Sequence, residues 1–122
     1  MKRRIYISGA MTGIEPREYR RRFREAETIL RRHGYGCINP CRVWPCRFPW
    51  LYRLMNAMLG SRLTYAVILA YDLILLMTRA DGIVMLPGWQ ASRGAQIENY
   101  TARHFPLMGI SRQAAEEIDK IK

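Results

Sequence analysis

The chain has few of the features that mark secreted or membrane-anchored proteins. Its three cysteines are an odd number and form no Cys-x-x-Cys pair, which indicates reduced thiols rather than a disulfide framework. The apolar segment Ile5-Tyr6-Ile7 near the start is too short for the apolar part of a signal peptide. No repeat, low-complexity segment or linker divides the 122 residues. We therefore expect one domain spanning residues 1–122 and a cytoplasmic location.

Long apolar runs are also lacking. The longest lies between Arg62 and Arg79 and has 16 residues, whereas a helix that crosses a bilayer needs about 20. It also carries Asp72 at its middle, which is costly in lipid. We therefore expect no membrane partner, and predict a helix over residues 63–78 that is buried in the core or at a subunit interface.

Acidic residues are scarce. There are 10 of them against 20 Lys and Arg, which gives a formal net charge of +10. Such a charge favours phosphate-bearing ligands, nucleic acid or an acidic surface. Many arginines lie on the predicted helix from Glu15 to His33, away from its apolar stripe. We favour a solvated helix face over a nucleic-acid interface, because no aromatic residues are interleaved and no DNA-reading motif surrounds it.

A metal site has little support in the sequence. The candidate ligands are Cys37, Cys41 and Cys46, with His33 just before them. The spacing lacks a Cys-x-x-Cys pair, and Cys37 falls within a predicted strand, so we expect no metal and no cofactor.

Two carboxylates are candidates for chemistry. Asp72 lies among Leu, Ile and Tyr residues, where a carboxylate is costly unless it is paired, hydrogen-bonded or protonated. Desolvation would raise its pKa, which suits a general acid. Considered alone, Asp72 is better interpreted as a buried residue satisfied by Tyr71, by backbone or by an arginine. Together with Glu98 it gives a two-carboxylate hypothesis, in which one group is protonated and the other is an ionised nucleophile.

Glu98 belongs to a strand–loop–helix segment. The apolar run Gly82 to Leu86 predicts a buried strand, and Ser92 is a credible N-cap for the helix that follows. Free N–H groups and the helix dipole at such a helix N-terminus suit an anion. The loop Gly9 to Gly13 offers a second cradle, although it matches neither the dinucleotide fingerprint nor the P-loop. The competing interpretation is that the glycines serve tight turns and Glu98 is a solvated helix residue; the spacing alone does not decide between them.

The order of predicted elements is β-α-β-αα-β-α-β-α. The strands are expected at residues 4–8, 35–39, 82–86 and 105–110, and Pro106 argues for an edge position of the last one. This order predicts an α/β fold with three layers: a small parallel sheet of the flavodoxin or Rossmann type, strand order 2-1-3-4, with helices on both faces. The switch point then lies between strands 1 and 3, where the two glycine loops meet.

Several motifs together resemble a known family. They are the segment Ile5 to Gly13, the pair Asn39-Pro40, Asp72, and the segment Leu86 to Glu98. They resemble a phage and bacterial family of small uncharacterised proteins, domain of unknown function 4406, over nearly the whole chain. That family in turn resembles the nucleoside 2-deoxyribosyltransferase and nucleotide N-glycosidase superfamily, and the resemblance of this chain to those enzymes is thinner. Ala10 stands where the family usually has proline, and the helices between Trp50 and Arg79 look longer and more apolar than usual.

The resemblance implies three catalytic residues. Glu98 would attack the anomeric carbon of a nucleoside or nucleotide, Asp72 would protonate the departing base, and Tyr6 would orient Glu98. Substrate binding would involve the two loops, at Ser8, Gly9, Met11, Gly88, Trp89, Ser92 and Gly94. Water accepts the sugar in a hydrolase, and a second base accepts it in a transferase. Ser92 at a helix N-terminus and the basic charge favour a 5′-phosphorylated substrate, and hence hydrolysis.

The alternative is a module that binds without catalysis. The same pocket could sense a nucleotide, or the arginine-rich helix could associate with nucleic acid, which we favour less. The apolar helix around Asp72 leads us to expect a homo-oligomer, in which a neighbour could complete each pocket. For a phage-encoded chain the expected location is the host cytoplasm.

Overall fold

The core of the fold is a small parallel sheet. In a computed structural model of the protein, which describes residues 2–11, 13–43, 47–105 and 107–122, three strands pair in the order β2-β1-β3. They are β1 (Arg4–Ser8), β2 (Gly36–Ile38) and β3 (Gly82–Met85). Both pairings are parallel, with Ile5 opposite Cys37 on one side and Gly82 on the other. The α/β class and the parallel sheet are therefore confirmed.

The part of the chain that the structure describes also contains five helices. They are α1 (Pro16–Arg32), α2 (Pro49–Leu59), α3 (Ser61–Thr78), α4 (Arg93–His104) and α5 (Arg112–Asp119). Short 3₁₀ turns lie at Pro40–Arg42 and Trp89–Ala91. Successive side chains of a strand point to opposite faces of the sheet. Accordingly, Ile5 and Ile7 pack with α1 and α5, whereas Tyr6 packs with α3 and α4. These two apolar clusters place helices on both faces.

Local capping signals explain where several helices begin or end. Ser92 accepts a hydrogen bond from the Ala95 N–H at 3.3 Å and caps α4, and Ser111 caps α5 through the Ala114 N–H. Gly34, with φ +87°, follows the end of α1. A side-chain oxygen at the N-cap satisfies an N–H that has no partner within the helix. The predicted start of α4 at Ser92 is thereby confirmed.

The predicted fourth strand is not formed as a strand in the described residues. Of the segment 105–110, Pro106 lies outside them, and Met108 makes only an isolated parallel bridge to Gly82. The Leu107 N–H donates to the Phe105 carbonyl at 2.6 Å and not to a neighbouring strand. The predicted order 2-1-3-4 is accordingly seen only as 2-1-3.

Helix α3 is less buried than its composition predicted. One side of it is buried, at Thr64, Asp72, Leu75 and Leu76. Yet only 22% of its 18-residue window, with a mean hydropathy of 1.4, is buried. By length and composition alone this helix could cross a membrane, which is weak evidence for a span. One side of α3 is thus buried in the core as predicted, and burial of its other side at a subunit interface stays a prediction.

Candidate active site

Strand β1 and helix α4 bring a buried glutamate against two hydroxyl groups. Tyr6 and Ser8 project from the same face of β1, because they are two residues apart. The Tyr6 hydroxyl donates to Oε2 of Glu98, and the Ser8 hydroxyl donates to Oε1 at 2.8 Å. All three residues are buried. Both oxygens of one carboxylate are thus held in a fixed orientation.

Burial and hydrogen bonding shift the pKa of Glu98 in opposite directions. Burial raises the pKa of Glu98 above its usual range, while the hydrogen bonds from Tyr6 and Ser8 lower it. Burial, followed by the charge of Glu98, raises the pKa of Tyr6 well above 10.0. Tyr6 therefore remains a donor at neutral pH, and its hydrogen bond favours the ionised carboxylate.

Asp72 faces the same cleft from α3. Burial raises its pKa to about 8, and the nearby charge of Glu98 adds to the effect. A carboxyl group with this pKa is mostly protonated at neutral pH and can donate a proton. Two carboxyl groups with different surroundings in one cleft are the arrangement that assigns one as acid and the other as base or nucleophile.

The cleft is large enough for a nucleotide-sized ligand. Its volume is about 810 Å³, within the range of small-molecule sites. Seven of the ten residues proposed from the sequence line it: Tyr6, Gly9, Met11, Asp72, Ser92, Gly94 and Glu98. Ser8 contributes through its hydrogen bond to Glu98. Gly88 and Trp89 are not among the lining residues; Gly88, with φ 85°, begins the 3₁₀ turn that leads to Ser92.

The N-terminus of α4 opens into this cleft beside a tyrosine of α3. Ser92 and Gly94 both line the cavity. A Cβ atom added at Gly94 would lie 2.8 Å from the Tyr65 hydroxyl oxygen, so the backbone and this hydroxyl are close neighbours. Backbone N–H groups, a hydroxyl and the positive end of a helix dipole together suit an anionic group.

The lining residues that were not proposed from the sequence include Arg20, Tyr52, Arg53 and Tyr65. Arg20 lies in the first turns of α1, just after the Gly9 loop. Ligands of parallel α/β sheets bind at the edge where the strands have their carboxyl ends, and the loop after β1 lies at that edge. The place of Arg20 shortly after this loop could therefore have identified it from the sequence. Tyr52, Arg53 and Tyr65 come from α2 and α3, whose approach to the cleft depends on packing between elements, and no local pattern marks them.

The structure also bears on the metal and nucleic-acid alternatives. Among the described residues, which exclude Cys46, no group of three or more His, Cys, Asp or Glu side chains is placed to hold a metal ion. On α1, arginines form ion pairs with solvent-accessible glutamates: Arg21 with Glu18 and Glu25, and Arg22 with Glu18. Such pairs are typical of a solvated helix face.

Comparison with known proteins yields one match. The family model described as "Domain of unknown function (DUF4406)" matches residues 3–110. No curated protein and no solved structure matches the chain. The resemblance to deoxyribosyltransferases therefore rests on the motif residues alone and stays a hypothesis.

Proposed function

We propose that this chain, which belongs to the family of the domain of unknown function DUF4406, cleaves the N-glycosidic bond of a nucleotide. The observation that carries the proposal is the buried Glu98 carboxylate, oriented by Tyr6 and Ser8 in one cleft with Asp72. A nucleophile with a fixed orientation beside a protonated acid is what displacement at an anomeric carbon requires.

In the first step, a Glu98 oxygen attacks C1′ of the sugar. The C1′–N bond breaks, and its electron pair goes to the base nitrogen, which receives the proton of Asp72. The products are a glycosyl ester on Glu98 and a free base. Proton donation of this kind contributes about 10²–10⁴-fold to a rate. The raised pKa of Asp72 keeps the proton available near neutral pH.

In the second step, the Asp72 carboxylate takes a proton from water as that water attacks C1′. The ester bond breaks, Glu98 returns as a carboxylate, and the sugar phosphate leaves. If a second base takes the place of water, the same intermediate gives a transferase. We favour hydrolysis of a 5′-monophosphate, because Ser92 and Gly94 place a helix N-terminus in the cleft and Arg20 and Arg53 add positive charge to its wall.

The test is base release from a panel of nucleoside and deoxynucleoside 5′-monophosphates, followed by chromatography. The wild type is expected to release base from at least one member, and Glu98→Gln is expected to lose that activity while retaining the fold. Glu116→Gln is the matched control, since Glu116 is exposed on α5 and pairs only with Arg112 among the ion pairs of the described residues. Base release that survives Glu98→Gln would contradict the assigned nucleophile.

A binding module is the second candidate, favoured by the same cleft. It predicts that wild type and Glu98→Gln both bind a nucleoside monophosphate in calorimetry, with no base released by either. The absence of turnover on the whole panel, with binding intact, would replace the enzyme proposal by this one.

A further inference from the structure

Helix α1 carries a buried carboxylate that the proposed mechanism does not use. Glu27 is 6% exposed. Its Oε1 atom pairs with Arg31 at 3.5 Å and with Arg42 at 3.4 Å, and its Oε2 atom accepts a hydrogen bond from Nδ2 of Asn39 at 3.3 Å. Both arginine side chains are more than half exposed, so water weakens these two ion pairs. Desolvating a carboxylate is costly, and such pairs offset only part of that cost, so stability alone does not account for Glu27.

Asn39 connects this carboxylate to the 3₁₀ turn that follows β2. Its Nδ2 group donates to Glu27, and its Oδ1 atom accepts a hydrogen bond from the Cys41 N–H at 2.9 Å. Asn39 is 5% exposed and is the N-cap of the turn Pro40–Arg42. Because the donor and the acceptor of one amide group are both engaged, the orientation of this side chain is fixed. The turn is therefore tied to α1 by hydrogen bonds.

The first residue of this turn forms part of the cleft wall. Pro40 is buried, and it lines the cavity that contains Asp72 and Glu98. Its ring fixes its own φ, and Asn39 before it is extended, with φ −102° and ψ 112°. The Pro40 ring therefore follows any displacement of Asn39. This gives the pair Asn39-Pro40 a physical role at the carboxyl end of β2, the edge at which ligands of parallel sheets bind.

We propose that Glu27 is a positioning residue, which holds Asn39 and thereby fixes the Pro40 wall of the cleft beside the bound nucleotide. This inference rests on the proposed function for the identity of the ligand. Neither Glu27 nor Asn39 is among the described residues that line the cleft, so both act through Pro40. Loss of their contact is therefore expected to weaken nucleotide binding and to leave the chemical step of Glu98 and Asp72 nearly unchanged.

The test exchanges donor and acceptor between the two side chains. Asn39→Asp keeps the oxygen that accepts from the Cys41 N–H, but it replaces the donor to Glu27 with a second oxygen, so two carboxylates oppose each other. Glu27→Gln supplies an amide group that can donate to that new carboxylate. The double variant Glu27→Gln/Asn39→Asp therefore restores the hydrogen bond in the reverse direction. It also keeps the wild-type net charge of +10, because one carboxylate is lost and one is gained.

Calorimetry measures the dissociation constant of a nucleoside 5′-monophosphate for each protein, in the Glu98→Gln background so that the ligand is not consumed. Asn39→Asp is expected to raise this constant about tenfold, because a hydrogen bond to a charged group is replaced by repulsion. The double variant is expected to bind within about threefold of the background protein. Glu25→Gln is the matched control on α1: the Glu25 side chain is 43% exposed and pairs with Arg21, and binding is expected to stay unchanged.

A second measurement separates positioning from a loss of stability. With Glu98 restored, Asn39→Asp is expected to raise the Michaelis constant for base release about tenfold and to change kcat less than about twofold, whereas a loss of stability alone moves neither constant in the folded protein. If Asn39→Asp does not fold, Glu27→Met takes its place, because methionine is of similar length but offers no carboxylate to Asn39.

The proposal is overturned if Asn39→Asp, or Glu27→Met in its place, binds the nucleotide as tightly as Glu25→Gln does. It is also overturned if the double variant binds no better than Asn39→Asp. Failure of the enzyme proposal is a separate result, seen as absence of base release by the wild type, and the binding measurements remain decisive in that case. A wild type that binds no nucleoside monophosphate overturns both proposals.

Discussion

At the scale of single residues, the ionisation of Glu98 depends on two hydroxyl groups. Tyr6 and Ser8 stabilise the charged form, so removing either donor raises the pKa of Glu98 further. In Ser8→Ala and Tyr6→Phe, the acid side of the pH profile of kcat/KM is expected to move to higher pH. Hydrogen bonds to charged groups contribute about 1.5–3 kcal/mol, which corresponds to a shift of about one to two pH units.

The control for that shift is Tyr100→Phe, which alters an exposed tyrosine of α4 and is expected to leave the profile unchanged. The alkaline side reports Asp72, which must be protonated to serve as the acid and has a pKa of about 8. It is expected to stay in place in the Ser8 variant. An acid side that does not move would mean that Glu98 is not the group whose ionisation limits the reaction.

The ionisation of Asp72 makes the free energy of unfolding depend on pH. Its pKa in the folded chain, about 8, lies above the ordinary value of 3.8, so the folded state binds the proton more tightly than the unfolded state. Any stability from this proton is complete below about pH 4 and is lost as the pH rises to about 8. Asp72→Asn cannot ionise, so its free energy of unfolding relative to wild type is expected to rise across that window, by a few kcal/mol in total.

Urea denaturation of both proteins at several pH values between these limits measures this difference. A difference that stays constant with pH would show that Asp72 is ionised in the folded protein. The control is Asp119→Asn, which changes an exposed aspartate at the end of α5 and is expected to show no such trend.

At the scale of elements, the close contact between β3 and the segment after α4 depends on one glycine. A Cβ atom at Gly82 would lie 2.3 Å from the Met108 carbonyl oxygen and 2.9 Å from Cδ1 of Ile5. The backbone must shift to accommodate it, so Gly82→Ala is expected to lower the free energy of unfolding by roughly 2–3 kcal/mol. Gly109→Ala, where nothing lies within 4 Å, is the matched control with a small effect. Equal unfolding midpoints for the two variants would contradict this packing.

The elements that the sequence predicted well are those with local signals. The N-cap at Ser92 and the apolar runs of β1 and β3 can be predicted without knowledge of the fold. The segment at 105–110 has strand-like residues, but a strand exists only through its pairing, and Met108 pairs at one point. The apolar composition of α3 predicted a helix in the core. Composition alone, however, does not show whether an apolar residue is covered by the rest of the fold or exposed.

The residues of the candidate site can likewise be separated into those that the sequence indicates and those that only the tertiary packing brings together. Asp72 was identified because a carboxylate in an apolar run is unusual in sequence, whereas Glu98 was identified from its place after a helix N-cap together with the resemblance to the deoxyribosyltransferase superfamily. The hydrogen bond from Ser8 to Glu98 depends on how α4 lies across β1, a tertiary relation with no sequence pattern. Tyr65 and Arg53 reach the cleft through the packing of α2 and α3, which no local sequence pattern marks.

At the scale of the whole molecule, the charge of +10 should act on the substrate before it reaches the cleft. A dianionic 5′-phosphate is attracted over several ångströms, and salt screens that attraction, since the Debye length falls from about 10 Å at 0.1 M to about 3 Å at 1 M. We expect kcat/KM for a nucleoside 5′-monophosphate to fall several-fold across that range of NaCl. The uncharged nucleoside with the same base is the matched substrate, and its kcat/KM should change little.

Arg53→Gln tests how much of the attraction of the 5′-phosphate comes from a contact in the cleft and how much comes from the overall charge. Arg53 lines the cleft, so its loss should weaken the nucleotide more than the nucleoside. Arg112→Gln removes the same charge from α5, where the side chain is 93% exposed, so it should lower kcat/KM for the nucleotide only by the small amount that one unit of overall charge contributes. Because both variants carry the same net charge, a larger loss in Arg53→Gln can come only from a phosphate bound near α2. If Arg53→Gln and Arg112→Gln lowered kcat/KM for the nucleotide equally, the overall charge of the protein, and no contact in the cleft, would select the phosphorylated substrate.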